Sequence, residues 1–204
     1  MARKLRIDEP GLSYHVWING VAGLPIFRDV DDKNRMVDLL REEVRFSEWR
    51  CFEYAVMTTH YHAFIRLRKP TLSSGFQRLN VRYARYFNDK YNKRGHVFDA
   101  RFHSKIAEGR FAQLETIRYV ALNPVKANIC EVADQYPWCG YGAAIGRYAD
   151  DDVVDVRALI ALFGSRAAYR RYVEEPDERV RWGQARARPR VTELSAKGTR
   201  ARAR

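Results

Sequence analysis

Two histidines one residue apart, His60 and His62 in MTTHYHAFIRL (57–67), are the first residues whose types and spacing could do chemistry. In a strand, alternate side chains share a face, so both imidazoles emerge side by side while Ala63, Ile65 and Leu67 sit on a core. Paired imidazoles can ligate a metal, or they can simply be two polar residues on a wet face. A second group lies in LETIRYVALNPV (114–125). There Tyr119 and Asn123, four apart, share one side of a helix, with Glu115 one turn earlier. Ile117, Val120 and Ala121 supply the side that docks. Taken alone, this pair also reads as a packing tyrosine and a helix terminator before proline.

The elements that must position these residues follow from periodicity. LSYHVWING (12–20), RCFEYAVM (50–57) and HYHAFIRL (60–67) read as strands, the last two joined by a tight Thr-Thr link, and HVFDARFHSKIAE (96–108) contains a fourth. DDKNRMVDLLREEVRFSEW (31–49) opens with aspartate caps and puts Met36, Leu40 and Val44 on one helical stripe. Residues 71–92 put Leu72, Phe76, Leu79, Tyr83 and Phe87 on another. GRFAQLETIRYVALNP (109–124) is a third helix, stopped by Pro124. The order β-α-β-β-α-β is the α+β, ferredoxin-like split βαβ pattern: an antiparallel sheet with two helices on one face and the other face free. His60 and His62 fall on that second face, where the helix of Tyr119 could answer them. Residues 125–146 read as irregular. Residues 147–178 form a helical C-terminal extension, two short helices around Gly164. The organisation is thus a core domain over 1–146, that extension, and a basic, disordered tail over 179–204.

Composition narrows the class. With 46% hydrophobic and 13% aromatic residues the chain can bury a core, which excludes global disorder. No apolar run is long enough to span a bilayer. Cys51, Cys130 and Cys139 have no CxxC spacing, which argues against a disulfide framework and for a cytoplasmic protein. The net charge of +12 is uneven: residues 179–204 hold nine Lys/Arg against the single acid Glu193, hence +8 of the total. A polyanionic partner is expected. Arg82, Arg85, Lys90, Lys93, Arg94 and Arg101 interleave with Tyr83, Tyr86, Tyr91 and Phe98. The mix suits backbone phosphates and stacking on unpaired bases, or equally a solvated helix face with aromatics turned inward.

The ordered series His-x-His, YFNDKYNKRGHVFDARFHS (86–104), YVALNPVKANI (119–129) and YPWCGY (136–141) resembles the single-tyrosine HUH transposases. Among these are the transposase-like proteins of bacterial insertion sequences and the REP-associated tyrosine transposases. The resemblance covers residues 10–142. Tyr61 departs from the bulky apolar residue usual between the two histidines.

The resemblance implies an enzyme that nicks and rejoins single-stranded or hairpin DNA through a covalent 5′-phosphotyrosine. By similarity Tyr119 is the nucleophile and His60 and His62 are metal ligands. Asn123 fits the third ligand's usual offset, and Glu115 fits it too and is the harder donor. Such a set leaves positions open for phosphate oxygens and suits Mg²⁺ or Mn²⁺ rather than closed structural Zn²⁺. DNA contacts are expected from Arg82, Arg85, Tyr86, Lys93, Arg94 and Arg101. His15 on the first strand and His103 on the fourth can line the same sheet face, and each ranks as a satisfied surface histidine ahead of a site residue. The alternative is a binding module of the same fold that has lost cleavage; monomer and homodimer are left open.

Deleting residues 179–204 is expected to weaken DNA binding and to flatten its dependence on salt, because Arg/Lys–phosphate contacts release counterions. Titrations of labelled DNA at several salt concentrations check this; an unchanged slope would take the tail off the nucleic acid.

Overall fold

A computed structural model describes residues 7–150 and 152–175. Four strands form one antiparallel sheet: β1 (Ser13–Asn19), β2 (Arg50–Val56), β3 (His60–Arg66) and β4 (His103–Ile106), in the order β2-β3-β1-β4. This is the split βαβ arrangement expected from the element order. On one sheet face Tyr14, Val16, Ile18, Tyr61, Ala63 and Ile65 are buried. They lie under α1 (Val30–Phe46) and α2 (Leu72–Lys90). Asp29 caps α1 by accepting from the Asp32 backbone N–H. The stripe Leu72, Phe76, Leu79, Tyr83 and Phe87 is buried as its spacing predicts, and so are Met36, Leu40 and Val44. At about 1.5–3 kcal/mol per buried side chain, that stripe outweighs exposed ion pairs such as Arg45–Asp152, worth at most about 1 kcal/mol.

The second face is not free. α3 (Gly109–Ala121) packs on β2 and β3, and α5 (Gly140–Ile145), α6 (Val156–Phe163) and α7 (Arg166–Glu174) cover the β2 side. The expected irregular stretch 125–146 therefore contains a helix. Gly140 and Gly142 are there for close approach, not for a turn. A Cβ on Gly140 would lie 2.5 Å from Val154 Cγ2 and 2.6 Å from Glu53 Oε1, and one on Gly142 would lie 2.5 Å from Tyr148 Cδ2. Nor does Pro124 end the third helix by itself. α3 ends at Ala121, and Pro124 sits in the first turn of the short helix α4 (Asn123–Lys126), where its missing N–H costs nothing. The two helices around Gly164 are present, and Gly164 has φ 89°.

Glu53, fully buried on β2, is the polar centre of this second layer. It accepts from Tyr169 Oη of α7 (2.6 Å), from the Tyr54 N–H (3.0 Å) and from Cys139 Sγ (3.7 Å). Its counterpart on the first layer is buried Asp32, which accepts from the Arg28 N–H, Tyr86 Oη, Tyr91 Oη and Lys90 Nζ and ties the start of α1 to the end of α2. No helix among the described residues is long and apolar enough to cross a membrane. Residues 179–204 lie outside the described residues.

Gly75 of α2 faces Trp49, whose indole stacks on Phe76 (centroids 4.6 Å apart). An added Cβ would collide with that indole and lie 2.8 Å from Glu43 Oε1. Gly75→Ala is therefore expected to destabilise by about 1–3 kcal/mol despite a helix-propensity gain of about 1 kcal/mol. The urea midpoint should fall at constant slope; a raised midpoint would show that Trp49 yields.

Candidate active site

Strand register assembles the site. β1 pairs with β3 so that Trp17 opposes His62 and Asn19 opposes His60, and with β4 so that His15 opposes Lys105 and Trp17 opposes His103. Directly opposed residues of antiparallel strands share a face. His15, Trp17, Asn19, His60, His62, His103 and Lys105 therefore form one polar and aromatic field on the second face, beyond the edge of α3. Tyr119 reaches this field from above. α3 buries Ile117, Val120 and Ala121 against the sheet, which leaves Tyr119 on the open flank, 41% exposed. Arg66 of β3 holds the same helix by donating to Gln113 Oε1 at 2.9 Å.

The Tyr119 ring meets two histidines edge-on, with centroids 5.7 Å from His62 and 5.6 Å from His15. His15 Nε2 and His62 Nδ1 are 3.0 Å apart, a hydrogen bond, and His60 Nδ1 is 3.0 Å from Thr59 Oγ1. The remaining ring nitrogen of His60 and of His62 is Nε2. Lys126 of α4 places its ammonium 4.5 Å above the Tyr119 ring. A cleft lined by His15, Trp17, Asn19, His60, His62, Lys105 and Tyr119 gathers these groups. Burial pushes the imidazoles down. His15 falls to about 4, by burial first and then by the Lys105 charge. His62 falls further, through burial and then the neighbouring His15 and His60, and His60 falls through burial. All three are thus neutral near pH 7, the form that ligates metals.

Not every residue expected at the site lies there. Asn123 is buried, and its Nδ2 donates to the Tyr119 carbonyl at 2.9 Å, so its side chain secures the α3–α4 junction and is absent from the cleft lining. Glu115 borders an adjoining cleft with His15, Lys105 and Tyr119, and its carboxylate accepts from Tyr172 Oη at 2.6 Å. Among the described residues no three of His, Cys, Asp and Glu form a ready-made metal cluster. The donor chemistry still fits a divalent cation: two neutral imidazoles, each with Nδ1 hydrogen-bonded and Nε2 remaining.

The basic residues expected to contact DNA also lie elsewhere. Arg82, Arg85 and Tyr86 are on α2, across the sheet from the histidines. Arg82 pairs with Glu42, and Tyr86 donates to Asp32. Lys93 and Arg94 are exposed between α2 and β4, and Arg101 lines a separate cleft with Phe98, Val81 and Ile18. Conversely, Lys105 and Trp17 line the cleft although nothing in the sequence marks them, and His15, ranked as a surface histidine, lines it too. Alternation alone puts His15 on the right face, but its contact with His62 depends on strand register.

Because the folded protein holds these imidazoles neutral while the unfolded chain titrates near 6.5, acid favours unfolding. For His15 the sign is definite: stability is complete above about pH 6.5 and is lost as pH falls toward 4. In chelator, the thermal midpoint is expected to drop between pH 7 and 5, before most carboxylates protonate, and to drop less in His15→Gln. A flat wild-type profile over that range would contradict neutral burial.

Three comparisons bear on what this site belongs to. No curated protein sequence matches the chain significantly. A solved structure described as the REP-associated tyrosine transposase bound to a REP hairpin superposes with a TM-score of 0.60 over 76% of this chain and 94% of that one, at 16% identity. At that identity the likeness establishes the fold. The family model for IS200-like transposases matches residues 10–123, which runs from just before β1 to Asn123 and takes in His15, His60, His62 and Tyr119. The chain belongs to the family of IS200-like transposases.

Proposed function

We propose that this transposase nicks and rejoins single-stranded or hairpin DNA through a phosphotyrosine on Tyr119. The observation that carries the reading is the convergence of the Tyr119 ring, from α3, on the edges of His15 and His62 in a cleft open to solvent. Likeness in fold to a transposase solved with a REP hairpin supports hairpin DNA as the substrate class. A packing tyrosine would have its ring buried with the apolar side of α3, where Ile117 and Val120 are, and would not need a neighbouring cation.

In the proposed reaction the Tyr119 phenolic oxygen attacks phosphorus. The bond to the 3′-oxygen breaks, the phenol gives up its proton and the leaving 3′-oxygen acquires one. The products are a 5′-phosphotyrosine and a free 3′-hydroxyl, and attack by a 3′-hydroxyl of another strand reverses the step and restores the phenol. No phosphodiester energy is lost to water. A neutral phenol is a weak nucleophile. The Lys126 ammonium over the ring favours negative charge on it, and Lys105 at the cleft favours the substrate's phosphate. His60 and His62 would hold Mg²⁺ or Mn²⁺ through Nε2, and the bound ion would neutralise phosphate charge in the transition state. Asn123 could complete that set only by giving the ion its Oδ1 from the α3–α4 junction. Glu115 could do so only by releasing Tyr172.

Single-stranded DNA from the gene's flanks, incubated with Mn²⁺, is expected to give a protein adduct that survives boiling in detergent and retains label 3′ of the cut. Tyr119→Phe should abolish the adduct while leaving DNA binding and thermal stability nearly unchanged. His60→Ala and His62→Ala should lose cleavage and keep most binding. An undiminished adduct in Tyr119→Phe would remove Tyr119 from the role. Hairpin binding with no adduct in the wild type would favour a silent binding module.

A further inference from the structure

His15 lies outside the His-x-His pair, on a different strand, yet it makes a direct polar contact to that pair. Its Nε2 is 3.0 Å from His62 Nδ1. In the sheet the two are diagonal neighbours: Trp17 is opposite His62, and His15 is two residues back along β1 on the same face. Only one hydrogen can lie between the two nitrogens, so one ring must donate and the other accept. If His15 donated, the proton of neutral His62 would sit on Nε2 and close that atom to a cation. If His62 donates, its Nε2 carries a lone pair.

We propose that His15 is a positioning residue: its Nε2 accepts the Nδ1–H of His62 and thereby fixes His62 in the tautomer whose Nε2 can ligate a divalent cation. The proposal rests on the reading of His62 as a ligand. Three features of the chain support it. The His15 ring is held in place by packing, with its centroid 5.0 Å from Trp17, which in turn stacks on His103 at 5.2 Å and 14°. It lies nearly parallel to the ring it addresses, at 5.1 Å and 23°. And the other member of the pair has an equivalent arrangement from a local source, since Thr59 Oγ1 sits 3.0 Å from His60 Nδ1 and can accept from it. Both histidines would then present Nε2, one oriented by its sequence neighbour and the other from across the sheet.

The test uses the full chain and two readouts other than cleavage. Long-range ¹H–¹⁵N correlation spectra of metal-free protein report the tautomer of His62. The expected form has the proton on Nδ1, with a shift toward the Nε2–H form in His15→Phe, which keeps a ring but has no acceptor. Mn²⁺ binding, followed by calorimetry, should weaken about 10–100-fold in His15→Phe. His15→Gln, which can place an amide oxygen near the former Nε2, should recover most of that affinity. A wild-type His62 protonated on Nε2 overturns the proposal, as does Mn²⁺ affinity unchanged in His15→Phe. Loss of affinity in both variants overturns it too, by making His15 a ligand in its own right. If wild-type protein binds no Mn²⁺ at all, the ligand reading falls and takes the proposal with it, an outcome distinct from the others. Should the Phe variant fail to fold, the wild-type tautomer and the Gln variant still decide.

Discussion

The packing of α3 across β2 and β3 sets the geometry at the cleft, because the tyrosine sits on a helix and the histidines on strands. Nothing covalent nearby links them. What does is a thin apolar contact, Ile117, Val120 and Ala121, together with the Arg66–Gln113 hydrogen bond. α3 advances 100° per residue and the strands alternate every second one, so the apolar side that docks and the open flank that carries Tyr119 are set by the same rotation. A small roll of α3 would move the phenol relative to both imidazoles at once. The molecule restrains that roll from the far side. Tyr172 holds Glu115, and Arg118 Nε donates to the Val173 carbonyl (3.4 Å), so α7 grips two successive turns of α3.

Two buried carboxylates show how each layer is fastened. Asp32 collects four donors at the junction of α1 and α2, and an acid so placed is stable only with that full set. Glu53 plays the corresponding part between β2, α5 and α7. The contrast explains why the Tyr86 hydroxyl is turned into the fold. It completes the Asp32 set, as do Lys90 and Tyr91.

How much of this is legible in the sequence depends on the range of the interaction. Period-two alternation in His60–Arg66 suffices to place both histidines on one face, and the stripes through Met36 and Leu79 suffice to cover the other. Tyr119 and Asn123 are legible as helix neighbours at spacing four, but Asn123's partner is the backbone of its own helix, which spacing cannot distinguish from a ligand role. His15 shares a contact with His62 only because of a register between strands 47 residues apart. Alternation within one strand carries no information about that. Gly140 and Gly142 resemble turn punctuation because glycine in a sequence does not say whether it is wanted for its backbone freedom or for its missing Cβ. The covering of the second face comes from residues after the β-α-β-β-α-β order is complete, so the order itself is silent about it.

The reach of α7 into the body of the protein has a consequence for segment exchange. The family-matched stretch closes at Asn123, yet Tyr169 donates to the buried Glu53 and Tyr172 to Glu115. A C-terminal segment exchanged with a relative's would leave a carboxylate buried without its phenol unless the incoming helix brought a hydroxyl to the same place. Removing one partner of such a buried hydrogen bond costs about 1–3 kcal/mol. A chimera that keeps this fold must therefore keep these helices with the sheet they cover.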